Sequence, residues 1–282
     1  MESTLQLPSF DRPPLTEVVL GVQFERLPKL TAGRIGQLWK LFVEEFPDTE
    51  DQPPLQPINE RFGEIGPQAI SFQLVSAYQP PRSWFINTSK TKLIQVQSDR
   101  FLLNWRKSSE IDKYPRFSSI EKDFREKLAL FVKFAHENGI GEFRPEYCEL
   151  TYINHIPSNE LWQSHGDADI IYPFCTFLDK SVRNIRLEQS GFNLAYEIQG
   201  SDKRPVGRLR INSEPKFLLS DGKPIYSLEL AARGTTIGSK DIAGISRFLD
   251  LAHREIVFSF AAITSKNMHR YWGRNDISSD GK

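Results

Sequence analysis

The alternation of apolar and polar residues predicts the first elements of the chain. EVVLGVQF (17–24) follows a Pro-rich entry and hardly alternates, which is typical of a strand buried on both faces. Thr31 is placed to cap a helix, and apolar residues then recur every three or four positions until Phe46. Pro47 ends this amphipathic helix, and the polar, Pro-rich stretch at 48–57 is predicted to be a connection.

Strands and a second helix are predicted over the rest of the first half. Apolar and β-branched stretches are separated there by turn-forming residues, and the last of them contains a hairpin turn: 69–76, 83–89 and 92–106. Ser118 and Glu121 then form a capping box for a long helix, which Asn138 and Gly139 end. The first half therefore has the element order β-α-β-β-β-β-α.

The second half repeats this order. A strand at 147–157 is followed by a helical or irregular crossover at 158–171, and Asp241 caps a final long helix. Between them lies a meander of strands with turn residues at its bends: 184–200, 206–213 and 224–233. We predict an α+β fold of two pseudo-duplicated β-α-β-β-β-β-α repeats, residues 1–141 and 142–282. Their antiparallel sheets, separate or continuous, would carry the long helices on one face and leave the other face open.

Composition excludes several classes of protein. Of the 282 residues, 39% are hydrophobic, which is too many for a disordered chain, and the charges interrupt them too often for a membrane span. Lys and Arg number 36, as do Asp and Glu, whereas proteins that coat a phosphate backbone normally have a net positive charge. Cys148 and Cys175 are too few for a disulfide framework. The first residues lack a secretory pattern, so we expect a cytoplasmic protein without membrane contact.

Three segments resemble a known family: PPLTEVVLGVQFE (13–25), the YPRF-helix block (114–135) and ELTYINHIP (149–157). The family is a sporadically distributed bacterial group of uncharacterised proteins of about this length, and it offers no catalytic residues to transfer. The resemblance implies a bacterial, cytoplasmic protein, and a patchy distribution is common among anti-phage defence and toxin–antitoxin genes. The duplicated element order is similar to the TATA-binding-protein-like fold, but this chain lacks the basic excess that a DNA-binding saddle needs.

One short segment is a candidate metal site. His165, Asp167 and Asp169 place three potential ligands within five residues. A calcium loop needs more oxygen ligands and a spaced Glu, and a zinc site needs a second ligand pair, so a polar turn is the alternative interpretation. We predict no cofactor, and we keep a metal-dependent hydrolase as the third functional hypothesis.

Two strand-to-helix junctions are candidates for anion binding. GTTIGSKD (234–241) and RKSSEIDK (106–113) are basic, and backbone N–H groups at a helix start favour anions, although neither segment has the P-loop spacing. Arg208 and Arg210 share one face of a predicted strand, with Leu209 and Ile211 on the other. The alternatives are ordinary loops and solvated arginines paired with acids such as Glu188 or Glu197. The candidate residues are Arg106, Lys107, Arg208, Arg210, Arg233 and Lys240.

Aromatic residues are candidates for contact with a protein partner. Four are singled out, two on predicted strands and two in the C-terminal MHRYWGR segment: Trp84, Trp105, Tyr271 and Trp272. The sequence has no G-x-S-x-G elbow, and Cys148 lies within an apolar strand, so no convergent catalytic set is recognisable. The leading hypothesis is a non-enzymatic binding or assembly protein, in a complex or homo-oligomer, with an accessory role in a defence or toxin-neutralising system as its biological setting. The second hypothesis is nucleic-acid or nucleotide binding through the basic face and the two loops.

Overall fold

The computed structural model describes residues 6–58, 60–62, 81–109, 111–176 and 187–275. Within them it has nine strands, five α-helices and one 3-10 turn. The strands are β1 (Leu15–Phe24), β2 (Asp48–Gln52), β3 (Arg82–Ile86), β4 (Lys92–Gln97), β5 (Arg100–Arg106), β6 (Pro145–Pro157), β7 (Phe192–Gln199), β8 (Pro205–Phe217) and β9 (Pro224–Gly234). The helices are α1 (Ala32–Trp39), α2 (Phe117–Glu137), α3 (Ala168–Ile171), α4 (Ile242–Ile263) and α5 (Lys266–Tyr271), with the 3-10 turn at His165–Asp167. The strand predicted at 69–76 lies outside the described residues.

All nine strands form one antiparallel sheet, in the order β2-β3-β4-β5-β1-β6-β9-β8-β7. The strands of residues 1–141 occupy one side of this sheet and those of residues 142–282 the other. The first strands of the two predicted repeats, β1 and β6, pair with each other where the two sides join, and Leu20 of β1 lies opposite Leu150 of β6. The predicted α+β class is thus confirmed, with a single continuous sheet. Among the described helices, none is both long and apolar enough to cross a bilayer.

The two faces of the sheet differ in chemistry. Its inner face carries the fully buried Val18, Leu20, Val22 and Phe24 of β1, and the long helices pack on this face. For example, Phe101 of β5 contacts Phe124 and Phe131 of α2 at ring distances of 6.1 and 5.4 Å. The outer face carries the intervening positions of β1, which are Glu17, Val19, Gly21 and Gln23, together with their neighbours across the sheet.

Helix α4 approaches the sheet closely because two strand positions lack a side chain. A Cβ on Gly234 would lie 2.2 Å from Phe248 of α4, and a Cβ on Gly207 would lie 3.0 Å from the same ring. Asp241 caps α4 as predicted, since its carboxylate accepts a 2.9 Å hydrogen bond from the Gly244 backbone N–H. Helix and sheet are therefore held at van der Waals distance along β8 and β9.

Three local predictions were wrong. Residues 48–52 form the exposed edge strand β2 instead of a connection, and apolar periodicity could not reveal a strand that buries neither face. Helix α1 ends at Trp39 instead of Phe46, and turns cover the rest. Helix α2 begins one residue before Ser118, and Arg116 precedes it without a side-chain cap.

Candidate functional site

A chain of polar side chains crosses the outer face. The Trp84 Nε1–H and the Arg82 guanidinium both donate to Gln95 Oε1, at 3.0 and 2.7 Å. Gln95 donates to Asn104 Oδ1 at 2.7 Å, and Asn104 donates to Glu17 Oε1 at 2.6 Å. Gln95 and Asn104 are buried, so each of these bonds satisfies a group that would be costly to leave unpaired. The network links four adjacent strands, β3, β4, β5 and β1.

Two arginines lie over the Trp84 ring at the edge of this network. The guanidinium carbons of Arg82 and Arg106 are 5.5 and 5.7 Å from the ring centroid, which is cation–π distance. The Nε atoms of both arginines are buried and have no hydrogen-bond partner within the described part of the chain. The half-buried Trp84 therefore lies in a cationic environment.

Glu17 supplies the negative end of the network. Burial raises the pKa of the Glu17 carboxyl, while the Asn104 hydrogen bond and the charge of Arg106 act in the opposite direction. Arg106 is directly across from Glu17 in the register of β1 and β5. Opposite charges thus alternate across this part of the outer face.

The other end of the outer face is covered by the chain itself. The covering segment (residues 53–58 and 60–62) crosses the ends of β1, β4 and β6. Ile58 N–H donates to Gln23 Oε1 at 2.6 Å, and Leu55 N–H donates to Gln97 Oε1 at 2.9 Å. Side-chain amides on the sheet thus bind the extended backbone, as a neighbouring strand would. The outer face is therefore only partly open, in contrast to the prediction.

Glu60 of the covering segment binds three of the predicted anion-binding arginines. Its carboxylate lies 2.6 Å from Arg208, 3.3 Å from Arg210 and 3.7 Å from Arg233, and its side chain is 6% exposed. Arg233 also contacts Glu149 at 3.3 Å. These arginines do bind an anionic group, but that group is the protein's own Glu60 carboxylate. The alternative interpretation named acids such as Glu188 and Glu197 as partners, whereas Glu60 comes from the first half of the chain.

The two strand-to-helix loops are organised by their own acidic residues. The Asp241 carboxylate accepts a 2.5 Å hydrogen bond from the Ser239 hydroxyl, whose oxygen accepts in turn from Arg247. The neighbouring Lys240 is exposed to solvent. In the first loop, Asp112 accepts the backbone N–H groups of two serines that follow Lys107: Ser108 and Ser109. Backbone N–H groups that could bind a phosphate in these two loops therefore already donate to carboxylates.

The predicted metal ligands do not converge. His165 Nε2 lies 3.0 Å from the Ile225 carbonyl oxygen, and the Asp167 carboxylate accepts from the backbone and hydroxyl of Ser164 as part of a capping box. Asp169 follows at the start of α3. Nowhere in the described ranges do three His, Cys, Asp or Glu side chains form a group that could hold a metal ion.

The four aromatic candidates fall into two classes. Trp105 and Trp272 are 5% and 3% exposed and pack within the core, Trp105 against Tyr114. Their contribution is to packing, since burial removes them from any surface. Tyr271 is 38% exposed, and Trp84 is half-buried on the outer face. Only these two are accessible to a partner on the folded chain.

A cavity of about 390 Å³ lies on the inner side of the sheet. It is bounded by the N-terminal segment before β1, the start of α2, and α4, and its lining is mostly apolar. Three polar residues in its wall form a relay: Tyr114 Oη lies 2.8 Å from Tyr152 Oη, which lies 3.0 Å from His253 Nδ1. Phe117 stacks on the His253 ring at 4.1 Å with an interplanar angle of 9°.

Burial makes every member of this relay neutral at ordinary pH. It lowers the pKa of His253 to about 4 and raises the pKa of Tyr114 to about 12, although Tyr152 and Arg116 oppose the latter shift. Burial and the neighbouring Tyr114 raise the pKa of Tyr152 as well. Perturbed groups in an apolar cavity are typical of functional sites.

Comparison of the chain with protein-family models and with curated proteins finds no match in either case. The relay residues were not identified as site residues from the sequence, although Tyr114 lies in the YPRF block. Polar residues within apolar patterns were a second signal in the sequence. His253 interrupts the apolar stripe of α4, and Gln95 and Asn104 interrupt otherwise apolar strands. Such polar residues identify positions, but only tertiary contacts reveal what they bind.

Proposed function

We propose that this chain is a non-enzymatic binding or assembly protein, and that it contacts a protein partner through the outer face around Trp84. The observation that carries the proposal is the placement of the half-buried Trp84 beneath the guanidinium groups of Arg82 and Arg106. Trp and Arg are the residue types that most often dominate binding energy at protein interfaces. The underlying polar network holds their side chains in place before a partner arrives.

The distribution of charge favours a protein partner over a polyanion. Glu50 is the register partner of Trp84, and Glu17 is the register partner of Arg106, so acids lie directly beside the cationic group. The exposed Glu229 adds a further negative charge on the same face. A phosphate backbone would be repelled by these acids, whereas a protein surface of mixed charge can complement them.

The apolar residues of the central strands add a surface for contact. Val19, Thr151 and Ile153 are half-buried on the outer face, next to the charged residues. An interface with an apolar centre and a polar rim is the usual arrangement in protein complexes. Membership of a bacterial defence or toxin–antitoxin complex is part of the proposal and rests on the family resemblance alone.

Affinity purification with matched variants tests the proposal. We expect Trp84→Ala and Arg106→Ala each to reduce the recovery of a specific partner from the native host by about tenfold or more, as hot-spot residues do. Lys133→Ala is the control, since this side chain is 69% exposed on α2, on the inner side of the sheet. Circular dichroism establishes that each variant is folded. Recovery equal to that of the wild type for both folded variants would refute the proposed interface.

Nucleic-acid binding is the second candidate function. The convergence of Arg208, Arg210 and Arg233 on a single carboxylate favours it, because such a group of arginines is suited to phosphate once Glu60 is displaced. Binding of this kind weakens steeply as salt increases, whereas a mixed-charge protein interface responds less. Measured affinity for single- and double-stranded DNA and RNA across a salt series therefore separates the two functions.

A further inference from the structure

The inner cavity has the size and the rigid walls of a ligand site. Its volume of about 390 Å³ is at the small end of the range for small-molecule pockets. On one side, Phe117 and His253 are held by their stacked rings. On the other, Phe10 packs edge-on against Phe260 at 5.5 Å.

The main chain fixes the N-terminal wall of the cavity. Asp11 N–H donates to the Gly273 carbonyl and Arg12 N–H donates to the Trp272 carbonyl, each at 3.0 Å. The segment before β1 is thereby tied to the C-terminal end of α5. The cavity cannot close by a simple collapse of this segment without breaking these bonds.

The polar relay offers both a donor and an acceptor to a ligand. If Tyr152 donates to His253 Nδ1, then Nε2–H is a free donor and the Tyr114 oxygen accepts. If the proton order is reversed, Tyr114 O–H becomes the free donor and Nε2 accepts. His253 Nε2 has no other hydrogen bond across the described residues, and either order leaves the relay uncharged.

Backbone strain at the cavity is a second, independent observation. Arg116 lines the cavity and has φ +74° and ψ 151°, a backbone conformation that residues other than glycine rarely adopt. Such strain costs on the order of 1–3 kcal/mol and is concentrated at functional sites. The strained residue lies between two other lining residues of the YPRF block, Tyr114 and Phe117.

We propose that this cavity binds a small, uncharged, mostly apolar molecule that carries one hydroxyl or carbonyl group. The apolar lining excludes a charged ligand because burial of an unpaired charge is costly, and a neutral relay offers no counter-charge. Among the described residues, Arg116 is the only charged side chain that lines the cavity, and it is exposed to solvent. The site lies on the opposite side of the sheet from Trp84, so this inference does not depend on the protein-binding function.

Calorimetric titration with p-cresol, toluene and benzoate tests the proposal on the full chain. We expect p-cresol to bind about threefold to tenfold more tightly than toluene, which corresponds to one net hydrogen bond. Without a partner for its hydroxyl, p-cresol would bind more weakly than toluene, because it would lose hydration. Benzoate should bind least. No binding by either neutral probe, or a preference for toluene or benzoate, would overturn the proposal.

Three variants locate the binding. Val257 lines the cavity, and Val257→Phe should abolish binding of both neutral probes by filling the space. Tyr114→Phe and His253→Phe keep a similar volume and remove one end of the relay each, so at least one of them should remove the preference for p-cresol. The preference should survive in Tyr196→Phe, a control at a 50% exposed tyrosine on β7. A preference retained in both relay variants would refute the site, even if Val257→Phe fails to fold.

Discussion

Acidification tests the environment of His253 directly. Burial holds the pKa of this imidazole at about 4 in the folded protein, whereas its ordinary value is 6.5. The groups that face it from the surrounding elements are Tyr114, Tyr152 and the stacked ring of Phe117, none of which is charged at acidic pH. Arg116 is the cation among the described lining residues, and its positive charge can only oppose protonation of His253.

The sign and size of the effect follow from proton linkage. Between the two pKa values the unfolded chain binds a proton that the folded chain excludes, so the free energy of unfolding falls as the pH falls. His253 lowers the free energy of unfolding by about 2 kcal/mol at about pH 5 and by about 3 kcal/mol at about pH 4. The loss changes little at lower pH. These values are a large fraction of the stability of a typical domain, which is about 5–15 kcal/mol.

Urea unfolding of the wild type and of His253→Gln across this pH range measures the effect. Other titrating groups contribute equally to both proteins, so the difference between the two curves isolates His253. We expect the variant to be less stable near neutral pH, through loss of the stacked ring, and the difference to shrink by about 3 kcal/mol on acidification. Parallel curves for the two proteins would refute the inference that this imidazole is neutral and desolvated.

Further outcomes can be measured on the same protein. Gly234→Ala should lower the free energy of unfolding by about 1–3 kcal/mol, because the added methyl group overlaps Phe248. Gly33→Ala has open space around the new methyl group and should raise the free energy of unfolding by up to about 1 kcal/mol. Urea unfolding measures both effects. Burial raises the pKa of the Cys148 thiol, so a thiol reagent should leave it unmodified in the native protein and modify the half-buried Cys175 first, as peptide mass mapping would show. Glu60→Gln should increase the salt concentration needed to elute the protein from heparin, because Arg208 and Arg210 lose their acidic partner and Arg233 keeps only Glu149. Unchanged elution would mean that these arginines are inaccessible.

The predictable parts of the fold were those with strong local signals. The apolar periodicity of α4 and the cap at Asp241 located that helix, and the alternation of Arg208 and Arg210 with buried residues placed both arginines on one face. Edge strand β2 was missed, since exposed edge strands have no apolar pattern. Which residues would be accessible was also unpredictable, as Trp105 and Trp272 demonstrate.

The candidate sites could be predicted only in part for the same reason. Trp84, Arg106 and the three arginines of β8 and β9 were identified from residue type, but their partners were not. Glu60 is 148 residues from Arg208 in the chain, and Tyr152 is 101 residues from His253. No sequence periodicity extends over such distances.

The sequence by itself determined the α+β class, the order of most elements and the separation of an apolar face from a polar one, because these depend on interactions between residues close together in the chain. The tertiary structure alone decided that the two halves share one sheet, that the covering segment neutralises the arginines, and that a neutral relay lines an inner cavity. Those features depend on contacts between distant residues, whose energies are set by burial and geometry after the chain has folded.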